Sequence, residues 1–376
     1  MSNNFVFYRK FFIIALSILS LTSYANTQDS VGKYANQWRQ KNDIPALSLY
    51  IISPKTNIQI LSGHNKIKAG QPITSDMLFG VGSITKTFVS VAILKLEEEG
   101  KLKLNDKVGK YFPKYRKWRD VTIKQLLNMT SGIPNATHNK TVLKNMMMKV
   151  QPGYTPEQLI NIAYQYPLKF KPGHGWSYSN TGYLLLGMII EKITGQPLRT
   201  VFNNEIFNPY GLRHTIFSNT IYTKSQLKEM AHGYRGNVDI IQMKPSNLGA
   251  AGAAFMNAGD LVKWINALLI QKKVLTPKEL KQFLTFVPVP IGVNQPKNQY
   301  YGLGIFMLKT KEYGEILSYA GVTFGYSATF VWVPKKHILL IAQINRLKDK
   351  NHYNYLFTSG AFVQNILKML CSPKEY

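Results

Sequence analysis

The stretch Gly80-Val81-Gly82-Ser83-Ile84-Thr85-Lys86-Thr87-Phe88, running on into Val89-Ser90-Val91-Ala92-Ile93-Leu94, decides how this chain is read. It places a serine three residues ahead of a lysine at the head of a long apolar run. On a helix, positions three apart share a face with Cβ atoms about 5–6 Å apart, so the Lys86 amine can reach back to the Ser83 oxygen. A hydroxyl that is a poor nucleophile on its own thereby gains a nearby base. The same pattern also suits a serine that merely caps a helix, so the rest of the chain must decide between the two.

Upstream, Ala46 to Ser53 and Ile58 to Gly63 are β-type runs joined by the turn-rich Pro54-Lys55-Thr56-Asn57, which predicts an antiparallel hairpin. From Ser83 to Ala267 helical periodicity dominates, in Ser83 to Glu99, Thr122 to Met129, Thr155 to Tyr164, Tyr183 to Ile193 and Gly259 to Leu269. Thr122 with Gln125 reads as a capping box, and Gly100, Gly132 and Gly195 stand where helices would stop. Strand signals return at Tyr301 to Met307, Ile316 to Tyr319, Tyr326 to Val333 and Ile338 to Ile344, with Pro334-Lys335-Lys336-His337 turning the last pair. A helix over about Tyr353 to Leu370 closes the chain. Strands at both ends with helices between predict an α+β fold. One antiparallel sheet of five or more strands is flanked by terminal helices and interrupted by a large, mostly helical insertion. The α/β part is expected over 26–80 and 276–376, and the helical part over 81–275.

At the N-terminus, Arg9 and Lys10 precede the apolar stretch Phe11 to Leu21, and Ser23-Tyr24-Ala25 has the small residues of a cleavage tripeptide. That stretch is short of the about 20 apolar residues a bilayer span needs. Residues 1–25 therefore read as a secretory signal, and 26–376 as an exported, periplasmic or secreted catalytic domain with no transmembrane span. Lys and Arg number 46 against 19 Asp and Glu, a formal net charge of +27. Such a field favours anionic envelope polymers or lipid headgroups. Nucleic acid is not expected, because the lysines are scattered and no recognised binding motif accompanies them. Cys371 is the only cysteine, so stability cannot rest on a disulfide within the chain. The seven histidines show no pair at metal-binding spacing, no Gly-rich phosphate loop occurs, and Ser83 is not in a Gly-x-Ser-x-Gly elbow. No metal or cofactor is expected.

What lifts Ser83 above chance is Trp176-Ser177-Tyr178-Ser179-Asn180, which follows the turn Phe170-Lys171-Pro172-Gly173 and sets a Tyr and an Asn two apart on an irregular, outward-facing segment. Ser-x-x-Lys with Tyr-x-Asn resembles the penicillin-recognising serine hydrolases: class C β-lactamases, the D,D-carboxypeptidases similar to them, and related esterases. Leu126-Leu127-Asn128-Met129-Thr130-Ser131-Gly132 looks like that family's LL-x-H-T-S-G segment, with Met129 in place of its histidine. Ala251-Gly252-Ala253-Ala254, Ala258-Gly259-Asp260-Leu261 and Tyr301-Gly302-Leu303-Gly304 look like further landmarks, so the similarity runs from about Ile44 to Asn345.

The resemblance implies an acyl-enzyme on Ser83, with Lys86 and Tyr178 as a coupled unit in an electropositive pocket expected to lower both pKa values. Tyr178 would shuttle protons, Lys86 would keep it polarised, and Asn180 would donate to the substrate carbonyl. Relatives carry Lys-Thr-Gly or His-Thr-Gly on a strand facing the serine; here Tyr319-Ala320-Gly321 stands instead. A cation and a hydroxyl are missing, while Gly321 keeps the close approach and the amides of Ser83 and Val322 remain for an oxyanion hole. Lys309-Thr310-Lys311 lacks the glycine and does not replace the motif. Arg346, Lys348 and Lys350 follow the last strand and are read as loop cations more than as a charged pocket rim. The expectation is a hydrolase of ester or amide substrates, small-molecule or peptide, that are D-Ala-D-Ala-like or β-lactam-like. A catalytically impaired relative that binds peptidoglycan or another envelope partner in the same cleft is the alternative.

Overall fold

The computed structural model describes residues 27–68, 70–146, 153–217, 222–241, 248–291, 296–347, 356, 358 and 360–371. The expected leader, residues 1–25, lies outside them, as do Lys348 and Lys350. A first helix, α1 (27–41), leads into one antiparallel sheet of eight strands. These are β1 (Ala46–Ile52), β2 (Asn57–Gly63), β3 (Val287–Pro288), β4 (Gln299–Tyr301), β5 (Phe306–Thr310), β6 (Gly314–Thr323), β7 (Tyr326–Val333) and β8 (Ile338–Ile344), in the spatial order β2-β1-β8-β7-β6-β5-β4-β3. The N-terminal hairpin thus joins the C-terminal strands through the pairing of Leu47 with Ile344 and Ile52 with Leu339.

β7 and β8 are buried along their whole length, as central strands covered on both faces must be. Period-two alternation sends Val331, Val333, Leu340 and Ala342 to a core shared with Val31 and Ala35 of α1 and with Phe362, Val363 and Ile366 of the last helix. Phe330, Trp332, Leu339 and Ile341 face the other way, into a larger core with the helical middle of the chain. That middle contains α2 (Thr85–Glu98), α3 (Ile123–Leu127), α4 (Pro156–Tyr164), α5 (Asn180–Thr194) and α6 (Ala258–Ile265), and the last helix is α7 (Ala361–Cys371). Apolar burial on both sides of the sheet, at about 25 cal/mol per Å², is the dominant favourable term in holding these layers together. No helix among the described residues is long and apolar enough to cross a membrane.

Some elements differ from expectation. The segment Tyr301 to Met307 is two strands, because the Gly302 amide donates to the Ile305 carbonyl (2.8 Å) and Gly304 takes φ +93°, closing a hairpin. The capping box on Thr122 is present, but α3 ends before Gly132, with Met129 at φ +66°. α6 stops at Ile265 and continues as a π-helical turn, Asn266–Ile270. α7 begins at Ala361, later than expected, and residues 353–355 lie outside the described residues.

Candidate active site

Ser83 sits in a 3-10 turn, Gly82–Ile84, that runs directly into α2. Two features hold this turn. The Val81 amide donates to the Ala254 carbonyl (3.0 Å), extending a small sheet in which Phe79–Gly80 pairs with Ala254–Met256. The Thr85 hydroxyl donates to the Gly82 carbonyl (2.7 Å) and accepts from the Ala254 amide (3.1 Å), so one buried side chain ties both strands of that junction. The following turn of α2 is anchored by the Trp264 indole, which donates to the Thr87 hydroxyl at 2.9 Å.

One turn into α2, Lys86 is fully buried, and its amine meets three uncharged acceptors: Ser83 Oγ (3.0 Å), Asn180 Oδ1 (2.9 Å) and the Ala251 carbonyl (2.5 Å). Burial without a countercharge holds the amine well below the usual lysine range. A neutral amine has two hydrogens and one lone pair. In that form Asn180 Oδ1 and the Ala251 carbonyl, which can only accept, take the two hydrogens and leave the lone pair to the Ser83 hydroxyl, whereas the protonated amine donates to all three.

Tyr178 reaches the same oxygen from the other side, its hydroxyl donating to Ser83 Oγ at 2.7 Å. The segment that carries it is pinned through Met129, whose carbonyl accepts from the Ser177 amide (3.0 Å) and whose sulfur accepts from the Ser179 amide (3.3 Å). A buried methionine thus supports this loop at the position where relatives have histidine. Ser179 is the N-cap of α5, with its hydroxyl accepting from the Gly182 amide, so Asn180 is the first residue of a helix and not part of an irregular segment. Its Nδ2 donates to Thr137 Oγ1 (3.0 Å) and its backbone amide to Asn135 Oδ1 (3.3 Å), leaving one amide hydrogen unassigned. Asn135, Thr137 and the Ala251 carbonyl were not singled out from sequence. The small-residue run Ala251-Gly252-Ala253-Ala254 was the only signal that pointed toward one of them.

The pocket does not lower both pKa values. Lys86 goes down, but Tyr178 is pushed up to about 12, because burial outweighs the hydrogen bonds to Ser83 and Tyr319 that pull it down. Scattered surface lysines do not supply the field that was expected; loss of water does the shifting.

The third element lies on β6. Pairing with β5 ends at Phe306 opposite Ser318, and the flank beyond it on that side, Tyr319 to Thr323, packs on the Ser83 turn. A methyl group on Gly321 would lie 1.9 Å from the Val81 carbonyl oxygen and 2.8 Å from the Ser83 nitrogen. One on Gly82 would lie 2.7 Å from the Val322 nitrogen. Both contacts require glycine, and they bring the Ser83 and Val322 amides to the same junction. Tyr319 is buried, with its hydroxyl 3.3 Å from that of Tyr178 and 2.9 Å from that of Tyr301. Arg346 points elsewhere: its guanidinium donates to the carbonyls of Gly236 (2.9 Å) and Asp43 (2.7 Å) and to Asn237 Oδ1.

An α+β fold that gathers Ser-x-x-Lys, Tyr-x-Asn and a glycine-bearing strand around one hydroxyl defines the class of β-lactamase-fold serine hydrolases. The Beta-lactamase family model matches residues 32–361, and the chain belongs to that family. It is 27% identical over 316 residues to penicillin-binding protein 4* of Bacillus subtilis, a match covering 77% of this chain and 65% of that protein. The chain therefore spans slightly under two thirds of that relative's length. Among solved structures it is similar to a D-stereospecific amidohydrolase from Streptomyces sp., with TM-score 0.72 and 27% identity over 90% of this chain and 99% of the other. The D-amino acid amidase of Ochrobactrum anthropi SV3 shares the fold, with TM-score 0.80 at 22% identity over 92% and 99% of the two chains.

Proposed function

We propose that this protein hydrolyses an ester or amide through a covalent acyl-enzyme on Ser83, with Lys86 as base and Tyr178 as acid. The observation that carries this reading is the double engagement of Ser83 Oγ, by Lys86 Nζ at 3.0 Å and Tyr178 OH at 2.7 Å. The neutral Lys86 lone pair takes the Ser83 proton as Oγ bonds to the substrate carbonyl carbon, and the carbonyl electron pair moves to oxygen. The Ser83 and Val322 amides stabilise that oxyanion, and the remaining Asn180 amide hydrogen is available to the substrate. As the bond to the leaving group breaks, the Tyr178 proton goes to it, and the proton held by Lys86 then neutralises the phenolate. One proton has moved from Ser83 to the leaving group. Water repeats the sequence in reverse and frees the serine.

The base assignment departs from the sequence expectation, in which Tyr178 carried every proton. A lowered amine beside a phenol raised to about 12 favours Lys86 as the first acceptor.

For substrate class, two features support amides or esters without an obligatory carboxylate. Tyr319 is neutral where relatives have a cation. A charge-assisted hydrogen bond contributes about 1.5–3 kcal/mol and a neutral one about 0.5–1.5, so carboxylate recognition is weakened by about tenfold and not abolished. Likeness to a D-stereospecific amidohydrolase supports D-configured acyl groups. A residual role in D-Ala-D-Ala cleavage is compatible with this, whereas efficient β-lactam turnover is not expected. Export through residues 1–25, leaving 26–376 as the catalytic domain at an anionic envelope surface, completes the proposal. An impaired relative that only binds peptidoglycan gains little support, because the hydrogen-bonded set around Ser83 is complete.

The test is a panel of short-chain esters, D-amino acid amides, a D-Ala-D-Ala peptide and a cephalosporin, run on wild type, Ser83→Ala and Tyr319→His. Turnover of esters and amides that disappears in Ser83→Ala is expected, with gains in Tyr319→His confined to carboxylate-bearing substrates. Silence across the panel, with measurable binding of envelope fragments, would overturn the reading.

A further inference from the structure

We infer that Tyr319, backed by Tyr301, is a positioning residue that donates its hydroxyl hydrogen to the Tyr178 oxygen as Tyr178 protonates the leaving group. The inference rests on the roles given above to Ser83 and Tyr178.

Four oxygens form a row: Tyr301 to Tyr319 at 2.9 Å, Tyr319 to Tyr178 at 3.3 Å and Tyr178 to Ser83 at 2.7 Å. At rest the Tyr178 hydroxyl donates its hydrogen to Ser83 Oγ. Once that hydrogen leaves with the departing group, and until the proton held by Lys86 reaches it, the part-buried Tyr178 oxygen is negative and only accepts, and a charge drawn out of water is costly unless it is hydrogen-bonded. Tyr319 is the donor already placed beside it. Its hydrogen turns that way when Tyr301 donates to the Tyr319 oxygen from behind, one of the two senses open to that pair.

β4 contributes Tyr301, β5 contributes Phe306 edge-on at 5.3 Å, and β7 contributes the Thr329 hydroxyl, which donates to the Tyr319 backbone carbonyl at 3.1 Å. From α2 come Lys86 and Ser90, and from α5 Tyr183, whose hydroxyl donates to the Leu127 carbonyl at 2.8 Å. The Lys86 amine lies 5.0 and 5.3 Å from the ring centroids of Tyr178 and Tyr183. The only charged group among these is Lys86, when protonated. A neutral phenol at position 319 therefore supports the developing phenolate without a second cation, which would further weaken Lys86 as a base. The same hydrogen bond pulls the Tyr178 phenol down against the upward push of burial.

Such a residue should matter in proportion to how badly the leaving group needs a proton. The experiment measures kcat/KM for an ester series from p-nitrophenyl through phenyl to ethyl, and for the matching amide, on wild type, Tyr319→Phe, Tyr301→Phe, Tyr178→Phe and Ser83→Ala. Tyr319→Phe keeps the ring against Tyr301 and Phe306 and removes only the hydroxyl. Its p-nitrophenyl ester activity should stay within about twofold of wild type. The ethyl ester and amide should fall by about tenfold or more, through kcat and not KM, as expected for a lost hydrogen bond to a charged group. Tyr301→Phe should follow the same trend more weakly. A uniform loss across the series in Tyr319→Phe, or none with the poor leaving groups, would overturn the inference while the acyl-enzyme reading stands. Undiminished turnover in Ser83→Ala would instead remove the reading on which it rests.

Discussion

Replacing Gly321 by alanine probes the junction on which the whole site depends. The added methyl would sit 1.9 Å from the Val81 carbonyl oxygen, and contacts under 3.0 Å are not sustained, so the Ser83 turn and β6 must separate by at least about 1.1 Å, the difference of the two. Neither side yields easily. Gly321 is paired with Ala328 on a fully buried strand, and the turn is tied to Ala254 through Thr85. A misplacement of about 1 Å is worth about 10²-fold in rate, and overpacking costs typically about 1–3 kcal/mol. Gly321→Ala should therefore react with a fluorophosphonate probe about a hundredfold more slowly, with a melting temperature lower by several degrees. Should the variant fail to fold, Gly82→Ala, whose methyl meets the Val322 carbonyl oxygen at 2.6 Å with φ +49°, addresses the same contact from the other side. A folded Gly321→Ala protein that labels at the wild-type rate would refute the described packing of β6 on Ser83.

Other outcomes follow from the buried amine and its partners. Lys86→Arg should lose at least about 10²-fold in kcat, because a guanidinium cannot be deprotonated to act as base; near-normal activity would mean that Lys86 serves only as a fixed charge. Stability should show the same group with the opposite sign. The native amine titrates below its unfolded value of about 10.4, so under that pH the unfolded chain binds a proton the native state refuses, and wild-type stability rises with pH through this window. Lys86→Met lacks that term, so its melting temperature relative to wild type should be highest at neutral pH and fall back toward pH 10; a constant difference would contradict a lowered amine. Thr137→Val leaves the part-buried Asn180 Nδ2 without its partner, a loss at the low end of the about 1–3 kcal/mol for an unsatisfied buried donor. About tenfold lower kcat/KM is expected there, and unchanged kinetics would show that Thr137 does not position Asn180.

Much of this was legible in the chain, and the exceptions have physical causes. β7 and β8 could be read to the residue because a mostly apolar run on each side of Pro334 to His337 leaves few alternatives. The Ser83 and Lys86 contact followed from helical spacing alone. The hairpin at Gly302 to Ile305 was missed because its two glycines sit inside an aromatic and branched run that is otherwise good strand sequence. Asn180 was placed outside the helix because the periodicity begins at Tyr183, although Ser179 is a strong capping residue. The upward shift of Tyr178 was not readable, since it depends on which groups lose water in the folded state, and net charge carries no such information. Tyr319 was read as a missing cation. That its hydroxyl meets both Tyr178 and Tyr301 depends on three separate segments meeting, which no local pattern reports.

The central claim is that Ser83 becomes acylated. Intact-mass measurement after rapid quenching with a p-nitrophenyl ester, followed by peptide mapping, tests it directly. The account predicts a single added acyl group on the peptide bearing Ser83, formed in a burst of one equivalent and absent in Ser83→Ala. Turnover without any adduct, or an equal adduct in Ser83→Ala, would contradict it.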